Sequence, residues 1–297
     1  MRTRRGIDNI VFLSTVFFVF VFFKTPEAHA YDTFIGHAGL TEASAQFYNA
    51  HPNSHPLTDE QIKCLKQGSI EEDTPFRWMN HFYDPVRNQG LKGEFFTSKE
   101  WVNNQPKQAR YSKGDHTWDR ALFDYHKGLE KEAFIALGHV LHLIQDATVP
   151  AHTRDDAHPT GDPLENWVKD HWPLDTSKAS ILKLKDLDAY FDNVANFSNN
   201  NFYSEDTIES TKFVKKNIIN YEIEKVTKNT LMRFAIADFS GKKFKLYRET
   251  KISDWKETDD KSLQIGEPVK TVNNPLVLSD YSSLLIPKAV SAGAGII

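Results

Sequence analysis

From Glu130 to Asp146 the chain reads Glu-Lys-Glu-Ala-Phe-Ile-Ala-Leu-Gly-His-Val-Leu-His-Leu-Ile-Gln-Asp. Past Glu132, apolar residues fall on most sides of a 3.6-residue repeat, so this segment is expected to be a central helix wrapped by others. Burial then becomes a problem for its polar residues. His142 and Asp146 are four apart and share one face. A carboxylate in such surroundings is costly unless it is paired or binds a metal. Pro150 stops the helix and lets His152 swing back from the following loop. Imidazole and carboxylate together are good zinc ligands. His139, three residues before His142, can be a ligand, an outer partner of a ligand, or packing; the last two are favoured.

The rest of the chain limits which chemistry is available. Cys64 is the only cysteine among 297 residues. Neither a disulfide framework nor a thiolate metal site can form, and any metal must use nitrogen and oxygen. Arg2, Arg4 and Arg5, the apolar run Ile10 to Phe23, and Ala28-His29-Ala30 are ordered as in a secretory signal peptide. The expectation is cleavage after Ala30, a secreted or periplasmic protein, and a mature chain from Tyr31. An uncleaved anchor is the rival, but the run is short for a bilayer span. Without residues 1–30 the chain carries 32 basic and 38 acidic side chains. No basic run stands out, which argues against a strong electrostatic grip on nucleic acid.

Helical patterns are expected over Leu40 to Asn49, after Thr58, over Trp118 to His126, from Asp162-Pro163 onward, over Leu182 to Asn196 and over Thr211 to Phe239. Asp162 reads as an N-cap with Pro163 in the first turn. Lys243 to Asp254 and Gly266 to Val277 carry strand-like composition. Ser279 to Ile297 returns to helix, with the apolar end Ala289 to Ile297 favoured as buried. The expected architecture is all-α: one multi-helix domain over residues 31–297, with a small β insertion near 240–275.

Further candidate ligands lie on both sides of the central helix. His37 precedes the first helix and can be a simple pre-cap residue. Asp73, in Glu71-Glu72-Asp73, can cap the turn at Pro75, and His81 can pack among its aromatic neighbours. His158 can be a solvated loop histidine, and Glu165 can be an acid serving the helix dipole. Taken with His142, Asp146 and His152, these make eight nitrogen and oxygen ligands, more than one tetrahedral zinc requires. Two or three clustered zinc ions follow as the natural inference, an arrangement suited to phosphoester hydrolysis.

The spacing of His142, Asp146 and His152 and the run His81-Phe82-Tyr83-Asp84-Pro85 resemble the zinc-dependent phospholipase C family of secreted bacterial enzymes. That family shares its helical fold with fungal zinc-dependent single-strand nucleases. The resemblance covers roughly residues 31–170. It implies three zinc ions held by Tyr31 (through its backbone amine and carbonyl), His37, Asp73, His81, His142, Asp146, His152, His158 and Glu165, with Asp146 bridging metals. In the expected hydrolysis by a zinc-bound water, Asp73 orients the attacking water or deprotonates it as general base. Two departures stand out. Tyr31 replaces a tryptophan, which matters little for backbone ligands. Gly161 stands where the family has a histidine four residues before Glu165, so His158 is assigned that role from the loop.

The expected activity is that of a secreted phosphodiester hydrolase, foremost a phospholipase C that cleaves phospholipid to diacylglycerol and a phosphorylated headgroup. The expectation includes transient contact with a membrane surface, a monomeric state and no obligate nucleic acid. Two rivals are weighed: a single-strand nuclease, with Trp78, Phe82 and Tyr83 as stacking aromatics, and a non-catalytic zinc-stabilised surface protein.

Overall fold

The computed structural model describes residues 33–297 except 53, 75, 112–113, 160, 228–229 and 251–268. The signal segment 1–30, its cleavage point and Tyr31 lie outside the described residues. A wide π-type turn, Thr33–His37, runs straight into α1 (Ala38–Asn49). Helix α2 (Asp59–Glu71) starts at Thr58, whose hydroxyl accepts from the Gln61 amide while the Gln61 side chain accepts from the Thr58 amide, a capping box. Short helices α3 (Ser98–Trp101) and α4 (Gln105–Gln108) follow. Helices α5 (Trp118–His126) and α6 (Glu130–Asp146) have the limits expected from the sequence.

Helix α6 is the centre of the helical part. It packs against α1, α2, α5, the later helix α9 (Leu187–Asn201) and the C-terminal helix α10 (Pro275–Ile296). Its residues from Gly138 to Asp146 are all buried. The closest approach is to α2, and two glycines make it possible. A Cβ on Gly138 would collide with the Leu65 carbonyl oxygen and lie 2.9 Å from the Gly68 Cα. A Cβ on Gly68 would likewise strike the Ile135 carbonyl. This contact draws the end of α2, and the acids after it, against the face bearing His142 and Asp146.

One local detail differs from expectation, and the start of the next helix does not. After α6 the chain does not pass into open loop at Pro150. Pro150 is the first residue of a one-turn helix, α7 (Pro150–Thr153), so His152 sits on helical backbone. Helix α8 (Pro163–His171) starts at Asp162, whose carboxylate accepts from the amides of Leu164 and Glu165.

The larger correction concerns residues 211–239. A helix was expected there, but Asn220–Thr227 (β1) and Thr230–Phe239 (β2) are strands. With β3 (Lys242–Thr250) and β4 (Val269–Thr271) they form an antiparallel sheet in the order β1-β2-β3-β4. The sheet therefore begins twenty residues before the expected insertion. The period-2 alternation of Tyr221 and Ile223 with Glu222 and Glu224 was the local signal. The decisive one is the turn between β2 and β3: Ser240 and Gly241 have φ of 52° and 82°, as a two-residue hairpin of primed type requires. The sheet packs through Phe234, Ile236, Phe244 and Leu246 in one apolar cluster with Leu278, Tyr281 and Leu285 of α10. Residues Ala289 to Ala294 of α10 are buried. No described helix is long and apolar enough to cross a membrane.

Candidate metal centre

Asp146, at the end of α6, is fully buried, and three histidines from three parts of the chain point at it. His37, from the π turn, places Nε2 3.3 Å from Oδ1; His142 places Nε2 3.2 Å from Oδ2; His81 places Nδ1 2.9 Å from the same oxygen. Asp73 completes this side, with Oδ1 at 3.5 Å from His142 Nε2 and 3.7 Å from His81 Nδ1. Its other oxygen accepts from the Thr33 hydroxyl at 2.7 Å. A second assembly lies beside the first. His152 Nε2 is 3.2 Å from Glu165 Oε1, and His158 Nε2 is 3.7 Å from Glu165 Oε2.

Three groups have donor atoms close enough together to hold an ion: His37, His142 and Asp146; Asp73, His81 and His142; and His152, His158 and Glu165. All eight described candidate ligands thus come together, and His142 is common to two groups. His158, seven residues before Glu165, lies in the third group, while Gly161 does not. Its backbone is bent into the left-handed region at φ 30°, rare for a residue with a side chain. The Asp156 carbonyl accepts from its Nδ1 at 2.6 Å, which leaves Nε2 turned to Glu165.

The same arrangement recurs at the other histidines. Nδ1 of His142 donates to the Ser69 carbonyl at 2.6 Å, and Nδ1 of His37 to Gln145 Oε1 at 2.7 Å. Gln145 is itself held by its donation to Thr41 Oγ1. Nδ1 of His152 faces the His81 carbonyl at 3.4 Å. Each outer nitrogen faces an acceptor and each Nε2 is turned inward, the second-shell pattern that orients metal-binding imidazoles. His81 alone is reversed, with Nδ1 inward and Nε2 outward.

The electrostatics suit a cation. Burial pushes the Asp146 carboxyl up, but His142, His152, His37 and His81 outweigh it and hold the pKa well below the usual range. Asp73 behaves alike: burial opposes ionisation, yet His142, His37 and His81 bring it to about 2. Glu165 moves the other way, because burial and the neighbouring charges of Asp162, Asp146 and Asp73 push it well up. Burial lowers His152 to about 3. His142 is raised well above its ordinary value, because Asp146 and Asp73 overcome its burial.

Fit to a metal can be judged from what is left unsatisfied. Both oxygens of Asp146, Oδ1 of Asp73, Oε2 of Glu165 and Nε2 of His158 are buried and make no hydrogen bond among the described residues. Leaving one such atom unsatisfied costs about 1–3 kcal/mol. Several in one place are what a bound ion would satisfy, and the donor set of imidazoles and carboxylates fits zinc.

Three contributors were not singled out in the sequence. Thr33 and Gln145 hold Asp73 and His37 as described. Glu72 is fully buried. Its Oε2 accepts from Arg77 Nε and Nη2 at 2.9 and 2.7 Å and from His139 Nδ1, and its Oε1 accepts from Trp101 Nε1 at 2.8 Å. Burial raises the Glu72 carboxyl, but Arg77, the donor from His139 and the nearby His81 keep it well below its usual value. The signal for Glu72 was present: Leu65, Gly68 and Glu72 recur at three- and four-residue spacing, so they share the face of α2 that meets α6. His139 lies outside the three groups, bonded to Glu72 and stacked on His116 with ring centroids 3.9 Å apart.

No family model and no curated protein matches the sequence. Among solved structures, an alpha toxin from Clostridium absonum is similar at 13% identity and a TM-score of 0.36. The match covers 57% of this chain and about half, 52%, of the toxin.

Proposed function

We propose that this chain is a zinc-dependent phosphodiester hydrolase acting on phospholipid in the manner of a phospholipase C. The observation that carries this reading is the convergence of His37, Asp73, His81 and His142 on Asp146, beside the group His152, His158 and Glu165. His37, His142 and Asp146 would hold one ion, Asp73 and His81 with His142 or Asp146 a second, and the His152 group a third. When bound, zinc polarises phosphoryl oxygens and lowers the pKa of water towards neutrality.

The chain's own residues supply positioning. Asp146, ionised by its histidines, places its two carboxylate oxygens towards different groups. Asp73 is buried, its side chain 3% exposed, with Oδ1 turned to the nitrogens of His142 and His81. With a pKa of about 2 it is a weak base, which favours orienting an attacking water by hydrogen bond over removing its proton. Phe34 and Ile35, directly after Thr33, and Phe76, three residues after Asp73, are exposed apolar side chains. They lie on the chain either side of the Thr33–Asp73 hydrogen bond, which suits a substrate with an apolar tail.

The test is release of phosphocholine from phosphatidylcholine by zinc-loaded protein beginning at Tyr31, with and without a chelator. Chelator-sensitive release is expected; no release from any phospholipid would overturn the lipase reading. Cleavage of single-stranded DNA instead would transfer the site to the nuclease reading. One observation favours a third reading. His37, His142 and Asp146 have no exposed surface at all, as in a saturated structural site. Full zinc occupancy with no turnover on lipid or nucleic acid would decide for a zinc-stabilised protein.

A further inference from the structure

We infer that Glu72 is a positioning residue for the metal centre, and that it makes His81 present Nδ1, rather than Nε2, to the metal. The inference rests on the metal-binding reading above. His81 is the exception in its site: His37, His142, His152 and His158 turn Nε2 inward and tie Nδ1 to a carbonyl or amide oxygen. His81 turns Nδ1 inward, to 2.9 Å from Asp146 Oδ2 and 3.2 Å from His142 Nε2.

Its outer Nε2 is buried and makes no hydrogen bond among the described residues, and Glu72 Oε1 stands 3.6 Å from it. Once Nδ1 gives its lone pair to a cation, Nε2 must carry the proton, and a buried N–H needs an acceptor. Glu72 is placed for that role. Its other bonds restrict where Oε1 can go: Arg77 clamps Oε2 through two nitrogens, and Trp101 Nε1 fixes Oε1 at 2.8 Å. Arg77 is fully buried and is itself held by the Gly114 carbonyl and Gln108 Oε1. The carboxylate thus sits in a rigid socket behind His81, with its charge compensated away from the metal.

The test compares zinc-loaded full chain, Glu72→Gln, and the double variant Glu72→Leu with Arg77→Met, which removes both buried charges together. Zinc affinity is measured by competition with a chromophoric chelator on protein shown to be folded by near-ultraviolet circular dichroism. Long-range proton–nitrogen NMR correlation reads which imidazole nitrogen of His81 carries the proton. Expected in the wild type are zinc at Nδ1 and a proton on Nε2. In the double variant the ion held by His81 weakens about 10–100-fold, while the His152, His158 and Glu165 site keeps its affinity. Glu72→Gln, which can still accept one hydrogen bond, falls between.

Wild-type affinity in the double variant, zinc bound through Nε2 of His81, or an equal loss at every site would each overturn the inference. If the double variant does not fold, wild-type affinity in Glu72→Gln overturns it. Failure of the wild type to take up zinc would instead remove the metal-binding premise, and the inference with it.

Discussion

His142 donates from Nδ1 to the carbonyl of Ser69 at 2.6 Å, a bond between the middle of α6 and a turn of α2 that only an unusually close helix crossing allows. The crossing is set by Gly68, next to Ser69, and Gly138, one turn before His142.

Gly138→Ala is therefore expected to act at a distance on the metal centre. The new methyl would meet the Leu65 carbonyl and the Gly68 Cα, both backbone atoms that cannot rotate away. Overpacking of this kind costs about 1–3 kcal/mol, and separation of the helices would withdraw Ser69 from His142. Urea unfolding should show lower stability, and chelator competition should show weaker zinc binding. Wild-type values for both would mean that the crossing does not set the site.

Asp146→Asn keeps the shape of the side chain and removes its charge. Three histidines stand within 3.3 Å of this carboxylate, so zinc held beside it should bind more weakly by more than the ~10–100-fold that loss of an outer partner costs. Elemental analysis should find zinc retained only at the His152, His158 and Glu165 site. Full zinc content would exclude Asp146 as a ligand.

His158→Ala should do the converse, removing the ion of the third group and leaving those around Asp146. Placing a histidine at Gly161 should not rescue the site. Gly161 has φ of 95°, and a Cβ there would lie 3.1 Å from Asn166 Nδ2; a left-handed backbone costs a residue with a side chain about 1–3 kcal/mol. Rescue of zinc content by Gly161→His in the His158→Ala background would show the loop to be more adaptable than its geometry suggests.

Acid should destabilise the metal-free protein. Burial lowers His139 and His152 to about 3 from 6.5. Between those values the unfolded chain binds a proton at each that the folded chain refuses, so stability falls with pH by about 1.4 kcal/mol per unit per group. Burial and His142 lower His37 as well, in the same direction. His142 and His81 are raised, so well below pH 6.5 they are protonated in both states and add no slope, while Glu165, raised by burial and its acidic neighbours, binds a proton in the folded state and offsets one of these groups. Urea midpoints in chelator should drop steadily from pH 6.5 to pH 5; a flat profile would contradict the buried neutral state of His139 and His152.

Zinc binding should oppose the proton on His142. Asp146 and Asp73 overcome burial to keep it protonated near neutrality, and a ligand must be deprotonated. Calorimetry in two buffers of different ionisation enthalpy should detect proton release on binding at pH 7. Affinity should rise with pH until His142 titrates.

Much of the helical frame could be read from the chain alone. Apolar periodicity gave the limits of α5 and α6, and Asp162-Pro163 gave the start of α8, because caps and helical period are local. Asp146 was legible as a buried carboxylate in need of partners, since its neighbours Leu143, Ile144 and Ala147 leave it nowhere polar to go. Local pattern did not decide residues 220–239. Their alternation becomes a strand only when β2 and β3 pair across Ser240-Gly241 and bury Phe234 and Ile236 on α10, and pairing of that kind depends on distant partners. Nor could the sequence say which of Glu71, Glu72 and Asp73 does what. The close approach of α2 to α6 turns Asp73 to the histidines and Glu72 to Arg77 and His81, and consecutive side chains take on separate roles only once a second helix lies against them.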